Sequence, residues 1–276
     1  MQSNTDSKTV EGFGAEWSKF DQSGLGDEEY DQIFESYFAV FPWDNLSGDA
    51  IGFDLGCGSG RWAKKVAPRV GKLICIDASA DALEVAKQNL GPAKNCEFHN
   101  TSVAEMPIDN DSMDFGYSLG VLHHIPQTQK GINACVSKLK KGAPFLVYLY
   151  YAFDNRPAWF RLLWRISDFF RKGISALPTR VKHLVAELIA IIVYFPLARI
   201  ALFMEKIGFD ISAFPLSIYR DKTLYTMRTD SLDRFGTRLE QRFTKKEIES
   251  MMTRAGLEKV IFSEEMPFWC AVGIKK

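Results

Sequence analysis

Short apolar runs along this chain alternate with stretches in which apolar residues recur every three or four positions. The runs predict β-strands, and the helical spacings between them predict α-helices. Up to residue 151 the alternation yields five strands, which begin at residues 51, 72, 96, 113 and 145. Strands that alternate with helices in this way are typical of a doubly wound, mainly parallel sheet.

The alternation stops between residues 152 and 235, where two apolar helices are predicted. The second of them, 184–203, contains an apolar run of 11 residues, which is shorter than the ~20 residues that cross a bilayer. Pro196 is expected to break this helix. We therefore predict a helical insertion over the active edge of the sheet, with buried or dimer-forming helices and with membrane contact as the alternative. The first helix has an apolar face made of Trp159, Leu162, Leu163, Ile166, Phe169 and Phe170.

The alternation resumes near residue 236 with a helix from Thr244 to Gly256 and two strands at 257–262 and 268–274. The prediction is therefore an α/β fold with a seven-stranded, mostly parallel sheet whose last strand is antiparallel. Four regions are predicted, namely an N-terminal helical cover (1–44), a core (45–151), the insertion (152–235) and a C-terminal completion of the sheet (236–276).

Charge and cysteine content narrow the functional classes. The 276 residues include 34 basic and 34 acidic side chains, so no net positive field attracts nucleic acid. The five cysteines form no C-x-x-C pair, and neither a disulfide framework nor a zinc site is indicated. The first ten residues are polar and do not resemble a signal peptide, which favours the cytoplasm.

A glycine-rich loop follows the first strand, in the sequence Asp54-Leu55-Gly56-Cys57-Gly58-Ser59-Gly60. Its G-x-G-x-G spacing differs from the G-x-G-x-x-G of dinucleotide-binding proteins. The loop resembles the first motif of the class I S-adenosylmethionine-dependent methyltransferases, in particular the small-molecule type called methyltransferase domain 11. The resemblance covers residues 45–151 well and 236–276 fairly, and it implies a Rossmann-like fold.

The resemblance assigns the glycine loop to the methionine part of S-adenosylmethionine. Gly56, Cys57, Gly58 and Gly60 would hold this part with their main chain, because glycine lets a ligand approach the backbone closely. Asp54 is expected to be negatively charged and to favour the amino group and the sulfonium. The alternative role for Asp54 is to cap the turn that follows.

An acid at the end of the second strand is the predicted ribose ligand. By resemblance, Asp77 accepts hydrogen bonds from both ribose hydroxyls, as an acid does in dinucleotide-binding folds, and Ala78 lies beside it in the site. Asp77 also stands close to the helix that Ser79 is expected to cap, so a capping role for Asp77 is compatible with ribose binding.

The adenine side of the site is predicted from Ser102-Val103-Ala104-Glu105-Met106-Pro107. This segment resembles the D-A-x-x-L-P loop of the family, but Ser102 stands where the family has an acid, and a neutral acceptor binds an amino group less strongly. Val103 would offer its backbone N–H and an apolar edge. Leu119, at the end of the fourth strand, would face the methyl side of the cofactor.

His123 and His124 are the candidate catalytic residues, because methylation of a hydroxyl or amine requires the loss of a proton. Adjacent side chains point in different directions, so at most one of them is expected to enter the site. The alternative is a histidine that is hydrogen-bonded within its loop. No acid stands at ligand spacing from either residue, and no metal site is predicted.

The resemblance implies methyl transfer to a small-molecule or lipid-like acceptor through an oxygen, nitrogen or carbon nucleophile. A nicotinamide-dependent oxidoreductase and a non-catalytic scaffold that binds S-adenosylmethionine are the alternatives. Partners are expected to be the acceptor, a second copy bound through the insertion, or a membrane surface, with nucleic acid disfavoured. The helix at 10–20 either caps the core or covers the cofactor. Candidate acceptor contacts are Tyr148, Tyr150, Tyr151, Arg220, Tyr225 and Arg228.

Overall fold

The computed structural model describes residues 4–91 and 93–276. Two compact units are present. The first contains the chain up to Gln22 together with Tyr30–Ala152 and Leu239–Lys276. The second contains Ser23–Glu29 and Phe153–Arg238.

The first unit is built on a seven-stranded sheet with the order β3-β2-β1-β4-β5-β7-β6. β1 to β5 are parallel, and β7 pairs antiparallel with both β5 and β6. This arrangement confirms the predicted mostly parallel sheet with an antiparallel last strand. The strands are β1 Ile51–Leu55, β2 Lys72–Asp77, β3 Cys96–Asn100, β4 Phe115–Leu119, β5 Pro144–Tyr148, β6 Leu257–Phe262 and β7 Ala271–Lys275.

The strand order reverses at β1, because β2 and β3 lie on one side of it and β4 and β5 on the other. Ligands of doubly wound sheets bind outside the carboxyl ends of the strands at such a reversal. The glycine loop leaves β1 at this point, with Asp77 at the end of one neighbouring strand and Leu119 at the end of the other. The topology alone therefore brings most of the predicted cofactor residues to one edge.

Helices cover the sheet in the first unit and pack through apolar residues at helical spacing. Phe34 and Phe38 stack on each other at 4.5 Å between ring centroids, and Phe38 also meets the ring of Tyr117 in the sheet. These residues belong to one large buried cluster with Trp62. The helices are α1 Ser7–Lys19, α2 Asp27–Phe38, α3 Arg61–Val66, α4 Ala80–Leu90, α5 Thr128–Lys138 and α10 Lys245–Arg254.

Three strands are shorter than the sequence predicts. β4 begins at Phe115 instead of residue 113, because Met113 pairs only in an isolated bridge with Leu139. β5 ends at Tyr148 instead of residue 151, because its last pairings are Tyr148 with Leu119 and Val147 with Ala271. Beyond them Tyr150 accepts a hydrogen bond from the N–H of Phe243, outside the sheet. β7 begins at Ala271 instead of residue 268, after a turn that the N–H of Cys270 closes by donating to the carbonyl of Pro267.

The second unit is helical, with α6 Ala158–Ser175, α7 Thr179–Ile189, α8 Phe195–Lys206 and α9 Leu224–Gly236. The prediction that Pro196 breaks the second apolar helix is wrong. A π-helical turn, Ala190–Tyr194, joins α7 to α8. In this turn the N–H of Phe195 donates a hydrogen bond to the carbonyl of Ala190, five residues earlier. Pro196, which has no N–H to donate, follows this turn without interrupting the helix.

The joined helix Thr179–Lys206 is 28 residues long, and its length and apolar composition suffice to cross a membrane. The 11-residue apolar run in the sequence therefore underestimates the length of the apolar helix. The apolar face of α6 is uncovered in the single chain, because Phe169 is 75% exposed and Leu162 is 59% exposed.

Candidate functional site

The loop after β1 holds three glycines in the left-handed region of backbone conformation. Gly56, Gly58 and Gly60 have φ angles of 75°, 53° and 76°, which residues with a side chain adopt only under strain. The loop is fixed to β2, because the N–H groups of Gly56 and Cys57 both donate to the carbonyl of Ile76, at 2.7 and 3.0 Å. A bare main chain is thus held rigidly at the switch point of the sheet.

Space as well as conformation requires glycine in this loop. A Cβ on Gly56 would lie 2.3 Å from a methyl carbon of Val121, and one on Gly58 would lie 2.9 Å from Nε1 of Trp17. Trp17 belongs to α1, and a Cβ on Gly14 of the same helix would meet the hydroxyl of Ser79. The predicted N-terminal helix therefore covers the glycine loop and also packs against the start of α4.

Asp77 connects the ends of β1 and β2. Its Oδ2 accepts a hydrogen bond from the N–H of Gly58 at 2.9 Å, and its Oδ1 accepts one from the N–H of Ser79 at 2.8 Å. The helix cap itself is the hydroxyl of Ser79, which accepts from the N–H of Ala82. Burial raises the pKa of Asp77, and the two N–H donors oppose that rise. The carboxylate that the sequence analysis assigns to the ribose thus contacts the glycine loop, which it assigns to the methionine part, and Ala78 is exposed beside it.

Asp54 lies in β1 with its side chain fully buried. The hydroxyl of Tyr117 donates to its Oδ2 at 3.0 Å, whereas among the described residues its Oδ1 has no hydrogen-bond partner. Burial raises the pKa of Asp54 to about 8, and the nearby charge of Asp77 adds to the rise. Burial thus favours the protonated form of Asp54 in the cofactor-free chain, whereas the sequence analysis expects a negative charge.

The residues predicted for adenine lie on the neighbouring segments. Ser102 precedes a short 3₁₀ turn, Val103–Glu105, and its hydroxyl makes no capping hydrogen bond there. Val103 and Leu119 are buried, and Cys57 is buried in the loop itself. The roles predicted for these four residues in cofactor binding stay predictions.

Comparison with known proteins identifies this region. Residues 53–142, from β1 to the start of β5, match the family model for a methyltransferase domain. This part of the chain is a methyltransferase domain. It belongs to the class I S-adenosylmethionine-dependent methyltransferases, and its match to that family favours methyl transfer over the nicotinamide-dependent alternative.

Relatives of the methyltransferase domain align with about half of the chain. An uncharacterized methyltransferase of Anoxybacillus flavithermus is 26% identical over 147 residues, which are 52% of this chain and 68% of the relative. A demethylmenaquinone methyltransferase of Clavibacter sepedonicus is 26% identical over 137 residues, which are 50% of this chain and 53% of the relative. The chain therefore spans between half and about two thirds of these relatives.

One solved structure resembles the methyltransferase over nearly its whole length. It is a chain of the Haloferax volcanii complex between the Trm112 methyltransferase activator and a methyltransferase. The match covers 95% of this chain and 96% of the other, with a TM-score of 0.53 and 15% identity. At this identity the likeness establishes the fold.

The residues around the glycine loop fit S-adenosylmethionine, the cofactor of the methyltransferase. The unpaired Oδ1 of Asp54 is a buried acceptor that suits a cationic amino group. The left-handed glycines carry no side chain along the loop, and the Asp77 carboxylate suits a ribose diol. When bound, the cofactor supplies a methyl group activated by a sulfonium. Among the described residues there is no cluster of three or more His, Cys, Asp or Glu side chains that could hold a metal ion.

The two candidate catalytic histidines of the methyltransferase have different surroundings. Nδ1 of His124 lies 2.6 Å from the carbonyl oxygen of Leu239, which assigns the proton to Nδ1 and matches the loop-bound alternative. His123 is fully buried and stacks on Tyr150 with 3.9 Å between ring centroids. Neither ring nitrogen of His123 has a hydrogen-bond partner within the described residues. Burial, with smaller effects of His124 and Arg242, holds the pKa of His123 well below 6.5, so its imidazole is neutral.

The sequence analysis missed Arg242, which lies beside this aromatic group. Its guanidinium is 4.9 Å from the centroid of Tyr150, donates from Nη1 to the carbonyl of Tyr151, and pairs with Glu240 at 2.7 Å. Nothing in the sequence around Arg242 indicates a place near the site. Arg242 lies near the strand ends because its neighbour Phe243 forms a parallel bridge with Tyr151.

Two arginines that the sequence analysis suggested for an acidic acceptor group are engaged elsewhere. Arg220 pairs with Glu205 at 2.7 Å, and Arg228 pairs with Glu187 at 2.6 Å. Both pairs lie within the second unit. In the first unit, Arg242 lies beside Tyr150 and is paired as well, with Glu240.

Proposed function

We propose that this methyltransferase transfers a methyl group to an oxygen, nitrogen or carbon nucleophile on a small-molecule or lipid-like acceptor. The observation that carries the proposal is the aromatic group at the carboxyl ends of β4 and β5. Tyr148 and Tyr150 lie 5.9 Å apart between ring centroids, and His123 stacks on Tyr150. Flat, uncharged side chains of this kind suit an aromatic or amphipathic molecule.

Charge supports the same class of acceptor. The chain carries 34 basic and 34 acidic side chains and so lacks the net positive charge typical of nucleic-acid-binding proteins. Arg242 lies 4.9 Å from the centroid of the Tyr150 ring, and Glu240 balances its charge, so the aromatic group suits an acceptor without net charge. The relative named for demethylmenaquinone provides a precedent for a small-molecule acceptor within this family.

His123 is the residue we propose as proton acceptor. A general base must be unprotonated before the reaction, and the depressed pKa of His123 keeps its imidazole neutral. Its unpaired ring nitrogens leave a lone pair for an acceptor proton. Most of the rate would come from positioning of the two reactants, to which Asp77 and the glycine loop contribute by holding the cofactor rigidly.

The proposal is tested by incubating the full chain with methyl-labelled S-adenosylmethionine and three separate pools of acceptor. The pools are a lipid extract, water-soluble metabolites and total RNA. We expect label in the lipid or metabolite pool and much less of it with the Asp77→Ala variant. Label confined to RNA would contradict the proposed acceptor class while leaving the methyltransferase activity intact.

We also propose a cytoplasmic location. All five cysteines, including the half-buried Cys96 on the edge strand β3, are free thiols, as is usual in reducing compartments. Fractionation of cells that express the tagged full chain tests this, and recovery from an extracytoplasmic fraction would contradict it.

A further inference from the structure

Exposed apolar side chains are concentrated in one part of the second unit. Among the described residues, 21 large apolar side chains are exposed, and 18 of them lie between Trp159 and Phe209. Scattered single residues of this kind are normal, but a concentrated set marks a binding surface. Most of them belong to α6 and to the helix Thr179–Lys206, and we call the surface formed by these two helices the apolar helical face.

On α6 the exposed residues follow helical spacing. Leu162, Ile166, Phe169 and Phe170 recur at intervals of three or four and are 50% to 75% exposed. The opposite side is occupied, because Nε and Nη1 of the buried Arg171 donate to Asp168 and to the carbonyl of Thr237. The exposed apolar side of α6 is therefore the side that the second unit leaves uncovered.

The helix Thr179–Lys206 also has one side covered by the second unit and one exposed apolar side. Its buried side consists of small residues and one tyrosine that pack near α9, where the hydroxyl of Ser231 donates to the carbonyl of Ala186. Its other side exposes Leu184, Ile192 and Phe203, each at least 60% exposed. Both helices thus direct their apolar residues away from α9.

This arrangement suits a helix that lies along a membrane and does not suit one that crosses it. α9 carries Arg228, Asp230, Asp233 and Arg234 and packs against the long helix through the ion pair of Arg228 with Glu187. A crossing helix would carry these charged groups into hydrocarbon, where they are costly. A helix in the interfacial plane keeps α9 in water and places only the exposed side chains among the lipids.

Charge distinguishes a lipid surface from a second copy of this chain. Residues 155–206 contain nine basic and three acidic side chains, although the whole chain is neutral. Arg161 and Arg165 are exposed on one flank of the α6 apolar side. A symmetric dimer through this surface would bring like charges together, whereas anionic headgroups would neutralise them. Basic residues beside Trp, Phe and Leu are the composition of interfacial helices.

We propose that the apolar helical face binds the surface of an anionic lipid bilayer, with α6 and the helix Thr179–Lys206 lying in the interface. Arg161 and Arg165 contact the headgroups, and Leu162, Ile166, Phe169 and Phe203 enter the apolar layer. The proposal does not depend on which molecule accepts the methyl group, because it concerns the second unit alone.

Flotation of the full chain with vesicles tests the proposal in the absence of cofactor and acceptor. We expect binding to vesicles of phosphatidylcholine with phosphatidylglycerol, and weaker binding to phosphatidylcholine alone. Substitution of Arg161 and Arg165 by Gln should lower the affinity for anionic vesicles by about fivefold for each arginine. The matched control, with Lys141 and Lys246 changed to Gln, should bind as the wild type does, because both lysines are exposed outside the second unit.

A second pair of variants tests the apolar contacts. Ile166→Ser should lower binding to both kinds of vesicle, whereas Ile261→Ser should not, since Ile261 is similarly exposed but lies on β6. Equal binding by the Ile166 and Ile261 variants, or no flotation of the wild type, would overturn the proposal. A dimer seen by light scattering without flotation would overturn it in favour of a second copy. Resistance of the bound chain to extraction by high salt and alkaline carbonate would overturn the interfacial position in favour of a crossing helix.

Discussion

The main-chain N–H of Gly58 donates a hydrogen bond of 2.9 Å to the carboxylate of Asp77. This bond joins the end of β1 to the end of β2 and gives Asp77 two functions. It fixes the glycine loop in its left-handed conformation, and it orients the acid that is expected to bind the ribose of S-adenosylmethionine. Loop geometry and cofactor affinity should therefore change together when Asp77 is altered.

Asp77→Ala is expected to weaken binding of S-adenosylhomocysteine on the order of tenfold or more, because each hydrogen bond to a charged group contributes ~1.5–3 kcal/mol. Isothermal titration calorimetry measures this affinity. The control is Asp109→Ala, which removes an exposed acid outside the site. Unchanged affinity in the Asp77 variant, or an equal loss in the control, would show that the ribose assignment is wrong.

Gly58→Ala tests the loop without removing a polar group. The left-handed conformation costs a residue with a side chain ~1–2 kcal/mol, and the new Cβ would press on the indole of Trp17. We expect a lower melting temperature and weaker cofactor binding, measured by thermal unfolding with and without S-adenosylhomocysteine. Gly48→Ala is the control, because its Cβ would meet open space. Adding Trp17→Ala to Gly58→Ala should restore part of the stability, and no restoration would mean that the contact with Trp17 is unimportant.

Much of the fold can be predicted from the sequence because each strand and helix of the first unit carries its own periodicity. The order of apolar runs and the glycine loop suffice to predict the parallel sheet and its antiparallel last strand. The second unit shows where such patterns fail. The amphipathic pattern of α6 predicts that one face is apolar, but it does not predict whether another part of the protein covers that face. Pro196 likewise has the sequence signal of a helix break, and only the preceding π-helical turn explains why the helix continues.

The candidate site could be predicted where a residue's role follows from its place at a strand end, as for the glycines and Asp77. It could not be predicted where the role depends on distant neighbours. The raised pKa of Asp54 results from its burial within the sheet, and the hydrogen bond from Tyr117, which is distant in sequence, opposes the rise. Arg242 reaches Tyr150 only through the pairing of Phe243 with Tyr151.

His123→Phe is expected to lower kcat on the order of 100-fold, because a positioned general base contributes ~10²–10⁴ in rate. Phenylalanine preserves a ring against Tyr150, so the binding of S-adenosylhomocysteine should not change. Methyl transfer is measured with an acceptor identified from the labelled pools. His124→Phe serves as the comparison and should mainly reduce stability, since it removes the hydrogen bond to the Leu239 carbonyl. An unchanged kcat in the His123 variant would limit His123 to a packing role.

The buried carboxyl of Asp54 predicts a particular pH dependence of stability. Burial raises its pKa from the ordinary 3.8 to about 8 in the folded protein, so the folded state holds a proton that the unfolded state releases between these values. The contribution of Asp54 to stability is therefore complete below pH ~4 and is lost as the pH rises toward ~8, with a slope of about 1.4 kcal/mol per pH unit. Urea unfolding of the cofactor-free chain from pH 5 to pH 8, compared with Asp54→Asn, isolates this slope.

The same group predicts proton release when the cofactor binds. A cationic amino group beside Oδ1 of Asp54 would lower the pKa of the carboxyl, since an opposite charge favours the ionised form. Calorimetric titration with S-adenosylhomocysteine at pH 7, in buffers with different ionisation enthalpies, should show close to one proton released per site. Asp54→Asn should abolish that release. Equal proton release in the wild type and the variant would place the amino group away from Asp54, and then the unpaired oxygen would have to be explained by a different ligand contact.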